Sequence, residues 1–182
     1  MNEKTTKQIE EMMNQTIGVE VEMNNITRTK AAQLAAEFFG TRRHENTAGR
    51  NGYDTYSAWD GEGREWKFQK DVSIHGPDSE KCELVTPILT YADMETLQEL
   101  IRRLRKAGAK SDATRGCGVH IHIGAKGHTP QTLRNLANIM ASHESLLASA
   151  LNLDRNRMNR YCRTVSKDFL VELNRKKPKT MA

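Results

Sequence analysis

Long apolar runs are missing from this chain. No stretch approaches the ~20 residues of a membrane-spanning helix, so a transmembrane protein is excluded as a reading. The start, "MNEKTTKQIEEMMNQ", has no apolar core of a signal peptide. Cysteine is sparse too. Cys82, Cys117 and Cys162 form no CxxC pair and leave an odd one, which fits reduced thiols in a cytoplasm rather than a disulfide framework. Internal repeats and low-complexity linkers are absent. Aromatics make up 5% of the 182 residues and charged residues 28%. That balance describes a soluble globular protein with a well-solvated surface, and the length suits one domain spanning 1–182.

What is present begins with charge. The net charge is +5, a sign compatible with an anionic ligand, nucleotide or nucleic acid. Much of the excess lies late, in "DRNRMNRYCR" and "NRKKPK". A basic tail is more often a solvated surface, so nucleic-acid binding rests on charge alone and is not expected.

The order of elements is legible from periodicity and turn residues. "TIGVEVEM" (16–23) reads as a strand, and "TRTKAAQLAAEFFG" as a helix closed by Gly40. The polar 41–52 segment reads as a loop. "YDTYSAW" and "EWKFQKD" flank "DGEG" as a hairpin, and "CELV" is a short strand stopped by Thr86-Pro87. Thr90 and Asp93 open a helix to Gly108, with Leu97, Leu100, Ile101 and Leu104 on one face. Thr129 and Pro130 start a long helix. Further helical pieces cover 154–163 and 166–174. Consecutive short hairpins predict an α+β fold: a mainly antiparallel sheet with helices packed on one face and the other face open.

Two strands carry chemistry. In "RGCGVHIHIG" (115–124), Val119, Ile121 and Ile123 alternate with His120 and His122. Period-two alternation marks a half-buried strand with both imidazoles on one face. The glycines before it, Gly116 and Gly118, permit either a close backbone approach to a ligand or a plain turn. "GVEVEM" repeats the pattern with Glu20 and Glu22. Either motif alone is also what a solvated strand or two structural histidines would show. Adjacent strands lie ~4.8 Å apart, so if these two share a sheet, four ligands could converge on one face. Glu83 lies between Cys82 and Leu84 and so faces away from them, and Asp71 ends "EWKFQKD". Clustered carboxylates repel unless a cation neutralises them. An oxygen-rich set with a few histidines suits Mg2+ or Mn2+ better than zinc, and such sites commonly serve phosphate chemistry. Arg157 and Arg160, three apart on a helix with Arg163 beyond, offer guanidinium forks for phosphate oxygens. A basic solvated helix face is the plainer account of them.

These motifs resemble the amidoligase family, carboxylate–amine ligases related to glutamine synthetase and glutamate–cysteine ligase. The matching segments are "GVEVEM", "KDVSI" followed by "CELVTPIL", "GCGVHIHIG" and "RMNRYC", in the family's order across nearly the whole chain. The resemblance implies a curved, glutamine-synthetase-like sheet that binds ATP and metal ions. It implies Glu20, Glu22, Glu83 and His120 as metal ligands, with Asp71 supporting the metal or substrate site. It implies that His122, Arg157 and Arg160 contact phosphate. Asp71, Arg157 and Arg160 are accordingly the candidate catalytic residues. The implied reaction is ATP-dependent: a carboxylate is phosphorylated and an amine displaces the phosphate to form an amide. The substrates would be a small-molecule or peptide carboxylate and an amine. Family members carry a Glu-x-Arg motif on a late strand, and nothing after Arg163 matches it ("VELNR" does not). The 182 residues alone are therefore expected to be a poor catalyst and to self-associate through an exposed sheet edge.

Two other readings compete. A non-catalytic nucleotide- or metal-binding module would bind ATP without turnover. A zinc hydrolase of the barrel type also uses an HxH strand, but such a barrel needs ~250 residues and βα alternation.

Overall fold

The computed structural model describes residues 2–50 and 52–180. The chain divides into two compact units, Met1–Gly124 and Ala125–Ala182.

The first unit is built on six strands: β1 (Ile17–Met23), β2 (His44–Asn46), β3 (Tyr56–Trp59), β4 (Glu65–Gln69), β5 (Cys82–Val85) and β6 (Val119–Ile123). They form one open sheet in the order β2-β3-β4-β5-β1-β6. Every neighbouring pair is antiparallel. Strands β2 to β5 follow the chain as successive hairpins, and β1 is inserted between β5 and β6. That insertion lays the Glu-x-Glu strand directly beside the His-x-His strand.

One face of the sheet is apolar. Val19, Val21 and Met23 of β1, Ala58 of β3, Trp66 and Phe68 of β4, and Cys82 and Leu84 of β5 are buried in the core. Two helices close it: α1 (Arg28–Phe38) supplies Ala31, Ala32, Ala35 and Ala36, and α2 (Met94–Lys106) supplies Leu97, Leu100 and Leu104. The alanine stripe lets α1 lie close on β3 and β4. Thr27 caps α1 by accepting the Lys30 N–H at 3.2 Å. The α+β layout expected from the hairpins and helix periodicity is thus present.

Three elements differ from the sequence expectation. Strand β6 lies where alternation predicts it but is not half-buried: all five of its residues are exposed, because it is the last strand of the sheet and contributes no residue to the core under α1 and α2. Glu3–Met13 is an additional helix, capped by Asn2, with no buried residue. Its apolar residues, Ile9, Met12 and Met13, are few and none is buried, so no core pattern announces it. Strand β2 falls in the predicted loop. "HEN" is fully exposed and is a strand only because β3 offers it an edge to pair with.

The second unit contains α3 (Pro130–Ala150), α4 (Arg155–Arg160) and α5 (Lys167–Lys176). Asn138 and Asn174 exchange amide hydrogen bonds between α3 and α5, at 2.8 and 3.1 Å. Glu144 accepts the Val165 N–H at 2.9 Å. Among the described residues no helix is long and apolar enough to cross a membrane.

Candidate metal centre

Strand register decides which side chains meet. In β1, Val19, Val21 and Met23 take the core face, so Glu20 and Glu22 take the other. Glu22 stands opposite Glu83, and Glu83 stands opposite Gln69. On the other side, Glu20 stands opposite His120, and Gly18 opposite His122. Directly opposed residues share a face, so these side chains all project from the side away from the helices. Gly18 leaves the space in front of His122 open, since a Cβ there would only touch the His122 Cβ at 3.7 Å.

Two groups result. In the first, Glu22, Asp71 and Glu83 each bring an oxygen to within 4.8 Å of the others. Glu22 is 2% exposed and Glu83 5%. Burial pushes the Glu83 carboxyl above its ordinary range. A hydrogen bond from Gln69 works against that rise, while Asp71, Glu20 and Glu22 add to it. In the second group, Glu20 lies between the two imidazoles, with Oε2 3.4 Å from His120 Nδ1 and Oε1 3.4 Å from His122 Nε2. The two imidazoles are exposed and Glu20 is partly so.

Asp71 lies beyond the end of β4, in the loop to β5. A short segment of that loop, with the end of β4, furnishes neutral donors to the first group. Gln69 Nε2 donates to Glu83 Oε2 at 2.9 Å. Ser73 Oγ donates to Glu22 Oε1 at 3.1 Å, and Ser73 N–H to Asp71 Oδ1 at 2.5 Å. Sequence reasoning overlooked Gln69 and Ser73. Both were within reach of it: Gln69 shares the alternation of Glu65 and Lys67 away from Trp66 and Phe68, and Ser73 sits inside "KDVSI".

The glycine turn before β6 has a definite task. A Cβ on Gly116 would stand 2.4 Å from the Ser73 carbonyl oxygen, and Gly116 has φ +85°. Only glycine permits both. Its neighbour Arg115 accepts the His75 N–H on its carbonyl at 2.7 Å. The Arg115 guanidinium donates to the His75 carbonyl at 3.2 Å and to Asn25 Oδ1 at 2.9 Å. Between the two openings left for the glycines, this turn serves close backbone packing. The Gly118 carbonyl is spent on the ladder, accepting from Glu22 N–H at 3.0 Å.

The structure therefore brings Glu20, Glu22, Asp71, Glu83, His120 and His122 to one face. Arg157 and Arg160 belong to the second unit, on α4, whose first turn is capped by Asp154 accepting the Arg157 N–H at 2.9 Å. Their guanidinium carbons lie 5.3 and 5.9 Å from the Tyr161 ring centre.

A family model described as "Putative amidoligase enzyme" matches residues 13–182. The protein class is thus a ligase at the coarse level. The chain belongs to this amidoligase family, as its Glu-x-Glu, Lys-Asp-Val-Ser, Glu-Leu-Val-Thr-Pro and His-x-His segments imply. No curated protein and no solved structure matches the chain.

Proposed function

We propose that this protein is an ATP-dependent carboxylate–amine ligase that works with Mg2+ or Mn2+ on a curved, glutamine-synthetase-like sheet. The observation that carries the reading is the trio Glu22, Asp71 and Glu83 beside the Glu20–His120–His122 group on one sheet face. The donor chemistry fits a hard divalent cation. It is rich in carboxylate oxygen, two of the carboxylates are buried, and burial first, then the charges of Asp71, Glu20 and Glu22, push the Glu83 carboxyl up.

Glu22, Asp71 and Glu83 would hold the cation, with Glu20 and His120 as further ligands. His122, Arg157 and Arg160 would meet phosphate oxygens. Bound Mg2+ supplies charge neutralisation for the ATP phosphates. A substrate carboxylate oxygen attacks the γ-phosphorus and ADP departs, leaving an acyl phosphate. The amine nitrogen then attacks the acyl carbon, phosphate leaves, and the nitrogen gives up a proton to form the amide. The residues of the chain contribute alignment and electrostatic stabilisation, which suit a reaction limited by repulsion between anions.

Calorimetric titration of the full chain with Mn2+, alone and with ATP, tests the reading, together with ADP release across a panel of carboxylates and amines. Metal-dependent ATP binding that weakens in Glu22→Gln is the expected result. Binding without ADP release would favour the non-catalytic module, and bound zinc in purified protein would favour the hydrolase. No metal-dependent binding at all would overturn the proposal.

A further inference from the structure

We propose that Ser73 is a positioning residue that orients two of the three clustered carboxylates for the cation. The inference rests on the metal-binding reading above. Ser73 touches both carboxylates at once: its hydroxyl donates to Glu22 and its N–H to Asp71. Glu22 comes from the middle of the sheet and Asp71 from a loop, so nothing in the strand register fixes one against the other. A single residue bonded to both does.

The hydroxyl is suited to this task. It is neutral and has one proton to give. A lysine or arginine in its place would neutralise the carboxylate and compete with the cation. A serine orients the oxygen and leaves its charge for the metal. Gln69 stands in the same relation to Glu83.

Ser73 is held in place by its backbone, not by the hydroxyl. Gly116 packs against the Ser73 carbonyl so closely that a Cβ would come within 2.4 Å. Two residues further on, His75 exchanges hydrogen bonds with Arg115 through its N–H and carbonyl. Gly76, at φ +129°, leaves room for the Arg115 guanidinium, which a Cβ there would meet at 2.2 Å. Glu80 adds an ion pair with Arg115 at 3.7 Å. The segment that leads into the His-x-His strand thus seats the loop that carries Asp71 and Ser73. Because the seat is independent of the hydroxyl, Ser73→Ala should keep the loop and lose only the orientation.

The test uses the full chain and Mn2+ alone. Free Mn2+ is counted by electron paramagnetic resonance, and water-proton relaxation reports the hydration of bound Mn2+. Losing a partner of a metal ligand typically weakens the metal by about 10–100-fold. Ser73→Ala is expected to fall in that range and to raise the relaxation enhancement as water replaces a misaligned carboxylate. Its metal-free melting temperature should match the parent's, and Ser73→Thr, which keeps a hydroxyl, should restore most of the affinity. Parent protein that binds Mn2+ while Ser73→Ala binds it equally well, with the same relaxation, would overturn the role of Ser73 and leave the metal reading standing. A Thr variant that melts normally but binds no better than Ala would likewise overturn it. Parent protein that binds no Mn2+ would overturn both readings.

Discussion

Glu20 and His120 stand directly opposite each other across β1 and β6, with His120 Nδ1 3.4 Å from Glu20 Oε2. The same carboxylate reaches His122 through its other oxygen at 3.4 Å. One charge therefore serves two imidazoles, and it also adds to the negative field at Glu83. If this group extends the cation site, Glu20→Gln should weaken Mn2+ binding by about 10-fold or more, because a hard cation loses a charged oxygen. Titration followed by paramagnetic resonance measures it. Unchanged affinity would confine the cation to Glu22, Asp71 and Glu83.

Gly116 carries a stability prediction with its own control. Gly116 and Gly63 both have positive φ, +85° and +77°. Gly63 has nothing within 4 Å of a hypothetical Cβ, whereas Gly116 has the Ser73 carbonyl at 2.4 Å. Gly63→Ala should cost about 1 kcal/mol, the backbone penalty alone. Gly116→Ala should cost more, up to about 3 kcal/mol, and should also weaken Mn2+ binding. Urea unfolding of the two variants compares them directly. Equal costs would show that the close approach is easily relaxed.

That contrast bears on what the sequence could reveal. Alternation sorted Glu20 and Glu22 from the core residues of β1, as a half-buried strand must; it also put His120 and His122 on one face of β6, but the core face it implied for Val119, Ile121 and Ile123 does not exist, since all five residues are exposed. Glu83 was legible for the same reason, flanked by Cys82 and Leu84. The insertion of β1 between β5 and β6 was not legible, since strand order depends on pairings distant in the chain. The pairing of Ser73 with Gly116 was out of reach for a related cause. Their meaning lies in contact between two loops 43 positions apart, and a serine or glycine in a loop has many uses. Helix Glu3–Met13 went unread because it buries nothing.

Acid sensitivity should trace to Arg64. Its guanidinium bonds Asp93 at 2.9 Å and Asp60 at 2.8 Å. The hydrogen bond from Arg64 holds the Asp93 carboxyl below its ordinary range, against the opposing effect of burial and with further help from the Thr90 N–H. A carboxyl depressed in the folded state stabilises the fold above its unfolded value. That contribution is lost as pH falls through the folded value, so the window lies below 3.8, the ordinary value for such a carboxyl. Arg64→Ala removes the cause. It should cost about 1–3 kcal/mol near neutrality and move the acid-unfolding midpoint to higher pH. Circular dichroism during acid titration reads the shift, and an unmoved midpoint would remove Arg64 from the account.

Strand β6 ends the sheet, and its outer edge is suited to a second copy of itself. Glu22 N–H bonds the Gly118 carbonyl, and Gly124 N–H bonds the Thr16 carbonyl. Alternation along the strand then turns the backbone groups of Val119, Ile121 and Ile123 outward. The same three side chains are 56%, 65% and 54% exposed. "VHIHI" is nearly palindromic about Ile121, so two copies can pair antiparallel with every outward group opposite an outward group. We expect concentration-dependent dimers by light scattering. Ile121→Lys, a charge of the kind that guards natural edges, should return the protein to monomer. A parent chain that is monomeric at all concentrations would end this idea.

Glu83 separates stability from binding most sharply. It is 5% exposed, and its carboxyl is pushed up first by burial and then by Asp71, Glu20 and Glu22. A buried charge among like charges destabilises a fold. Glu83→Gln removes that charge, keeps nearly the same shape, and keeps an oxygen to accept the hydrogen bond from Gln69 Nε2, 2.9 Å in the parent. In chelator-treated buffer at neutral pH the variant should therefore be more stable than the parent, by about 1 kcal/mol, the size of an ordinary single-substitution effect. Added Mg2+ should reverse the order. A ligand that binds only the folded state stabilises it by RT ln(1 + [L]/Kd), about 2.7 kcal/mol at 100 times Kd. The parent receives this gain in full, and the variant, lacking one anionic ligand, receives little. Urea unfolding with and without Mg2+ supplies all four stabilities. A crossing of the two proteins on metal addition is what a cation site predicts. A Gln variant that is weaker under both conditions would mean that Glu83 holds the fold together rather than waiting for a cation.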